Sequence, residues 1–243
     1  MSSEHPQKIS SLELGRIIAM FAIVLLHNQV MMKAPLFDQT PWLGYIVNQL
    51  ARFAVPFFFL LSGYLIQPKL TSAPFKTLSS YSLPLIKIWL VWSIICLVMP
   101  FNWELLSTQG YMAERSGYWN WLMQNPFNTV MEGGLVHLWF IPGLICAVAI
   151  IASCIRLNIT ALLPGIAIAL YVYGLMGGSY ENITEVWTPF FTRNGPFFST
   201  LMVWIGYEIR RRSFTLSFNA AQVLVLLGLS IHSFRGSYLV DGL

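Results

Sequence analysis

The sequence predicts an all-α protein, a polytopic bundle of transmembrane helices with a cytoplasmic N-terminus. Three observations carry this. The 243 residues are 56% hydrophobic and only 10% charged, whereas a soluble domain carries about 25% charged residues. Apolar runs near the ~20 residues of a membrane-spanning helix recur along the chain. Lys and Arg are divided unevenly between alternate connections, which sets orientation in a membrane.

Seven spans are expected, at roughly 12–33, 43–66, 83–100, 137–155, 158–177, 197–209 and 216–234. The first opens past Glu4, Glu13 and Arg16, is long, and lacks a small-residue cleavage site, so it reads as a span and not as a signal peptide. The second carries Pro56, which frees a backbone carbonyl and kinks the helix, then Ser62 and Gly63, which permit close helix approach. Arg16, Arg52 and Lys87 each place one charge in the first three spans, while the fourth, fifth and seventh cores hold none. The sixth is short, with Arg193 and Arg210 at its two boundaries.

With the N-terminus inside, the inner connections hold Lys8, Lys69, Lys76, Arg156 and the run Arg210–Arg212. The outer ones hold Asp38, Glu104, Glu114, Glu132, Glu181 and Glu185, with Lys33, Arg115 and Arg193 as exceptions. The inverse topology would put the arginine triplet outside, which disfavours a seven-span receptor arrangement. Segment 101–136 is the longest connection, and Tyr111, Tyr118, Trp119 and Trp121 suit a helix lying at the outer interface. It is either an aromatic anchor or a lid over an outward-facing site.

Net charge is +4. In a membrane protein that surplus reports cytoplasmic loops and anionic headgroups. No basic stripe with interleaved aromatics occurs, so nucleic acid is not an expected partner. Cys96, Cys146 and Cys154 all lie in apolar runs without metal-binding spacing; they read as reduced, buried hydrophobes, and no metal is expected. Nor is there an internal repeat, which weakens an inverted-repeat transporter.

The chemistry centres on "RIIAMFAIVLLH", Arg16 to His27. Eleven residues at 100° come within about 20° of three full turns, so both side chains share one helix face, ~16 Å apart along the axis. An intramembrane ionisable residue normally faces a protein cavity and marks function. Imidazole titrates near neutrality and can take a proton from a hydroxyl. Of the other histidines, His5 lies in the N-terminal segment, His232 late in the seventh span, and His137 at the outer start of the fourth, where it is a candidate to share a pocket with His27. Arg52 lies just inside the outer end of its span with no acid nearby, and Arg193 in "FFTRNGPFFS" occupies a like position.

"SLELGRIIAMFAIVLLHN", "VPFFFLLSGYL", "VHLWFIPGLI" and "TRNGPFFSTLMVWIGYEIRRR" together resemble membrane-bound acyltransferase family 3. The likeness spans essentially the whole chain, and the Arg-x10-His spacing is its most specific mark. The resemblance implies an integral O-acyltransferase of the bacterial inner membrane. Such an enzyme moves an acyl group, usually acetyl from acetyl-CoA, onto a glycan hydroxyl. It implies catalytic roles for His27, as general base, and Arg16, toward the CoA phosphates on the cytoplasmic side. Substrate contacts are expected from Arg52, Ser62, His137, Trp139 and Arg193. Expected partners are the bilayer, acyl-CoA and a glycan acceptor. Family members have about ten spans, so residues 1–243 read as one acyltransferase-3-like domain shortened at its C-terminus. The competing expectations are a transporter or channel for an anionic or lipid-linked substrate, and an inactive truncated acyltransferase.

Overall fold

A computed structural model of the chain describes residues 10–29, 31–32, 41–134, 136–225 and 227–228. Lys8, Lys33, Asp38, His5, His232 and the seventh span beyond residue 228 lie outside the described residues. The described residues form helices and short connections, with no strand among them. The chain divides into two compact units, Met1–Phe58 with Arg212–Leu243, and Phe59–Arg211.

In the first unit, α1 (Ser10–His27) packs against α2 (Trp42–Ala51) and the first turn of α3 (Ala54–Ser72). The contact is built on Ala19, Ala22, Ala51 and Ala54, bordered by Ile23, Leu26, Phe57 and Phe58. Small side chains let helix backbones approach where lipid offers no hydrophobic drive for association. Gly15 serves the same end, since a Cβ there would sit 2.9 Å from the Phe57 ring. The sequence predicts one kinked helix over 43–66, but the structure breaks it at Arg52–Phe53 and continues it to Ser72. The break falls four residues before Pro56, where the proline ring crowds the Arg52 carbonyl and offers it no N–H.

The second unit holds the rest of α3, then α4 (Pro74–Val98), α5 (Trp103–Gln109), α6 (Tyr111–Gln124), α7 (Pro126–Glu132), α8 (Phe140–Arg156), α9 (Leu163–Met176), α10 (Glu181–Thr184) and α11 (Pro196–Arg211). Single 3-10 turns precede α8, at Val136–Trp139, and α9, at Thr160–Leu162. α8 is the central helix, packed against α4 and α11, and α11 also packs on α9. Leu144, Ala147, Val148, Ile151 and Ala152 of α8 are buried. α3 and α11 cross in backbone contact: a Cβ on Gly63 would overlap the Val203 carbonyl, and one on Gly206 the Leu60 carbonyl.

Three stretches, Trp42–Ser72, Pro74–Val98 and His137–Arg156, are long and apolar enough to cross a membrane, and Thr160–Met176 is apolar but shorter. α4 shows the environment they are built for. Its Thr77, Ser82, Ser93 and Cys96 are buried while Leu83, Ile88, Val91, Trp92 and Ile94 are exposed. A continuous apolar exterior is a liability in water and the ordinary state of a lipid-facing helix.

Candidate functional site

α1 is one unbroken helix from Ser10 to His27, so Arg16 and His27 lie three turns apart on one face. The face packed within the unit is the neighbouring one, through Gly15, Ala19, Ala22 and Leu26. Met20, Val24 and His27 are exposed, and Arg16 is partly so. The face expected to line a cavity is therefore presented outward from the unit's own core. Arg16 donates to the Glu13 carboxylate at 2.8 Å, one turn earlier on the same helix, with both side chains partly exposed. Such a pair is worth little, so the guanidinium can exchange this carboxylate for phosphate oxygens. Arg52 caps α2 and donates to Asn48 Oδ1 at 3.4 Å.

Ser62, His137, Trp139 and Arg193 belong to the second unit. Ser62 shares a hydrogen bond with Tyr81 of α4, so it ties two helices together. His137 is exposed on the 3-10 turn before α8. Trp139 borders an aromatic group, its ring 6.1 Å from Phe59, which also meets Phe140 at 4.3 Å and Phe198 at 5.9 Å.

Arg193 is the predicted residue with the most developed surroundings. Its Nη2 donates to Glu132 Oε1 at 2.8 Å, with side-chain exposures of 46% and 6%. The local sequence explains both sides of this contact. On one, Asn125 caps α7 by accepting from the Asn128 N–H, Pro126 occupies the first turn, and Gly133 ends the helix in the left-handed region at φ 63°. Four residues apart, Asn128 and Glu132 then share a helix face. On the other side, the strap 188–195 is pinned to α9 by Thr192 Oγ1 donating to the Gly174 carbonyl at 2.7 Å and Thr188 Oγ1 to that of Gly177 at 3.1 Å. Pro196 then starts α11.

Between the two lie buried amides. Asn194 Nδ2 donates to Glu132 Oε1 at 3.1 Å and to Asn128 Oδ1 at 3.3 Å, and the Phe191 N–H donates to Asn128 Oδ1 at 2.9 Å. Sequence reasoning counted Glu132 as a loop charge and missed Asn128 and Asn194. The cap pattern Asn125-Pro126…Gly133 was the signal that α7 exists and sets Asn128 and Glu132 on one side.

A second buried charge pair lies at α6. Arg115 is fully buried, bonded to Glu114 through both Nε and Nη2 and to the Cys96 carbonyl through Nη1 at 3.0 Å. Its guanidinium lies 5.0 Å from the Phe101 ring centre and 4.7 Å from that of Tyr118. Arg115, desolvation, and the Phe101 and Asn102 N–H groups act on the Glu114 carboxyl; the hydrogen bonds prevail and lower its pKa to about 2. Tyr111 and Trp119 donate to the Val98 and Leu97 carbonyls at the end of α4. The aromatic segment is thus fastened to the helical unit. Among the described residues no His, Cys, Asp or Glu side chains gather in a set of three that could hold a metal.

A family model described as an acyltransferase domain, acyltransferase family 3, matches residues 9–240. Among curated proteins, an "Amino-acid racemase" of Enterococcus faecalis is 28% identical over 82% of this chain and 28% of its own length. A "Serine/alanine racemase" of Enterococcus gallinarum is 26% identical over 88% of this chain and 31% of its own. The chain thus spans less than a third of these relatives. No solved structure matches it.

Proposed function

The chain belongs to acyltransferase family 3, and from that premise we propose that it is an integral O-acyltransferase of a bacterial inner membrane, moving an acetyl group from acetyl-CoA to a hydroxyl of a cell-surface or lipid-linked glycan. The observation that carries the reading is the continuous helix α1, which holds a cation and an imidazole on one face ~16 Å apart. That separation covers about half of a ~30 Å hydrocarbon core. The racemase activities in the relatives' names stay with those longer proteins.

The proposed topology is seven spans with a cytoplasmic N-terminus, resting on the Lys/Arg asymmetry, with residues 1–243 forming one acyltransferase-3-like domain. On that topology Arg16 lies toward the cytoplasm, where CoA is available, and binds its phosphates in exchange for Glu13. The donor supplies an activated thioester carbonyl. His27 accepts the proton of the acceptor hydroxyl as the new C–O bond forms. The C–S bond breaks, and the proton passes to the departing thiolate. Arg52 and Arg193 are the candidate cations for steadying the oxyanion or the acceptor, with Ser62, His137 and Trp139 lining the substrate path.

The test is transfer of labelled acetyl from acetyl-CoA to membrane glycan. His27→Ala is expected to lower the rate by about 100-fold or more, the scale of a lost general base. Arg16→Ala is expected to raise KM for acetyl-CoA more than it lowers kcat. A His27→Ala protein that folds and transfers at the parent rate overturns the mechanism.

A further inference from the structure

Residues 111–134 are built inside out for a segment surrounded by water. Their charged side chains, Glu114, Arg115 and Glu132, are all buried. Met112, Trp121 and Met123 of α6 are 64%, 53% and 67% exposed, and Phe127 and Val130 of α7 are exposed as well. A connection in water does the reverse, because water solvates charge and excludes apolar surface.

Helical phase orders what α6 exposes. At about 100° per residue, Glu114, Arg115 and Leu122 share the inward face, Met112 and Met123 lie on one flank and Trp121 on the other. Exposed Ser116, Asn120 and Gln124 run along the back. The helix is thus apolar on both flanks and polar only on the side turned away from the unit. That is the pattern of a helix lying in a bilayer surface, its back to the water and its flanks in lipid.

The inward face holds it there. A helix leaves its last four carbonyls without partners of its own, which in α4 are those of residues 95–98. The Met99 N–H donates to the Ile95 carbonyl at 2.8 Å. The other three are taken by α6, at successive turns. Arg115 Nη1 donates to the Cys96 carbonyl at 3.0 Å, Trp119 Nε1 to that of Leu97 at 3.0 Å, and the Tyr111 hydroxyl to that of Val98 at 2.8 Å. Water serves such carbonyls at a wet helix end, whereas protein must serve them where lipid excludes water. The lipid-facing exterior of α4 also runs into this join without a gap: Val91, Ile94, Val98 and Met99 are exposed, then Phe101 and Trp103.

We propose that α6 and α7 form a seat in the bilayer, fastened to the end of α4. Met112, Trp121, Met123, Phe127 and Val130 enter the boundary between phospholipid headgroups and acyl chains. The partner is the apolar part of the lipid, since residues 111–134 expose no charge for a headgroup to meet. The segment is therefore a fixed anchor of the helical unit and not a lid. The proposal rests on α4 crossing the membrane and on none of the proposed chemistry.

The test is nitroxide collision on the full chain in nanodiscs, in a protein whose Cys96, Cys146 and Cys154 are alanine. Met112→Cys, Trp121→Cys, Met123→Cys, Ser116→Cys, Asn120→Cys and, on α4, Val91→Cys each carry one spin label. Oxygen concentrates in lipid, and a nickel chelate stays in water. The ratio of oxygen to nickel collisions is expected to exceed unity at positions 91, 112, 121 and 123 and to fall below it at 116 and 120. The positions are read independently, so one variant that misfolds leaves the pattern legible. The pattern is expected to be the same in phosphatidylcholine alone and with phosphatidylglycerol added. Nickel-dominated collisions at 112, 121 and 123, with oxygen at 91, overturn the seat and make the segment a water-borne lid. Weak collisions with both agents at those three positions also overturn it, because another protein surface then covers them. A pattern that needs phosphatidylglycerol overturns the apolar contact in favour of headgroup attraction. Nickel-dominated collisions at Val91→Cys as well would refute the membrane reading itself, and with it the integral acyltransferase.

Discussion

Arg115 shows how a single residue in this chain escapes a sequence reading. In sequence it is a cationic exception among the outer charges, next to Glu114 in a segment read as an aromatic helix at the interface. In the structure it is fully buried between two aromatic rings with Glu114 against it. What decides burial is the carbonyl of Cys96 and the ring of Phe101, and no local pattern announces either. The same holds for Glu132 and Arg193, which meet across 61 positions. By contrast the shared face of Arg16 and His27 was legible, since helical phase is a local property. Glu114 supports a prediction with a definite sign. Its folded pKa, about 2, lies below its unfolded value of about 4.3. Its contribution to stability is therefore complete above about pH 4.5 and is lost as the pH falls through that value toward 2. Melting temperatures measured from pH 6 to pH 2 should fall less steeply in Glu114→Gln than in the wild type. The variant should melt lower at pH 7, because Arg115 is then buried without its counter-charge. Parallel curves for the two proteins would rule this out.

At the scale of elements, the sequence located α8 and α11 within a few residues of 137–155 and 197–209, but it carried the first span to 33 where α1 ends at His27, and it started the third at 83 where α4 starts at Pro74, because the polar first turns of α4 do not register as an apolar run. The sixth run, expected at 197–209, is α11 at Pro196–Arg211. The fifth, expected at 158–177, begins later, with a 3-10 turn at 160–162 before α9. Pro56 was legible as a disturbance but not as a full break, since whether a helix bends or stops depends on what packs against the freed carbonyl. Gly63 was legible as a packing residue. Its partner Gly206 was not, because the crossing of α3 and α11 joins segments over 140 positions apart. The two glycines can be told from others in the chain. Gly63→Leu or Gly206→Leu drives a side chain into backbone that cannot yield, and should cost at least the ~1–3 kcal/mol of ordinary overpacking. Gly117 of α6 has open space around it, so Gly117→Ala should be neutral or add up to about 1 kcal/mol through helix propensity. Chemical denaturation in detergent reads both. Equal tolerance at Gly63 and Gly117 would mean that the helices do not cross there.

The whole molecule poses the question of how many times the chain crosses the membrane. Three stretches satisfy length and composition outright, whereas α9 with its leading turn has 17 residues and α11 has 16. At 1.5 Å per residue these reach about 24–26 Å, short of a ~30 Å core. Such helices cross only if the bilayer thins or their flanking residues reach the interface. The flanks suit that: Arg156 stands ahead of α9, Arg193 ahead of α11, and Arg210–Arg212 at its end. Seven spans with the N-terminus inside require Leu157 and Ser213 on the cytoplasmic side and Ser116 and Asn182 on the opposite side. All four are exposed, so each can be replaced by cysteine in a protein whose Cys96, Cys146 and Cys154 have become alanine. A membrane-impermeant maleimide applied to intact spheroplasts should label Ser116→Cys and Asn182→Cys, and should reach Leu157→Cys and Ser213→Cys only after permeabilisation. Asn182 is the discriminating position, because it alone separates α9 from α11. If Asn182→Cys labels together with Leu157→Cys, neither short helix crosses, the seven-span arrangement fails, and Arg193 and its buried amides lie on the cytoplasmic side, the donor's side, away from an external glycan.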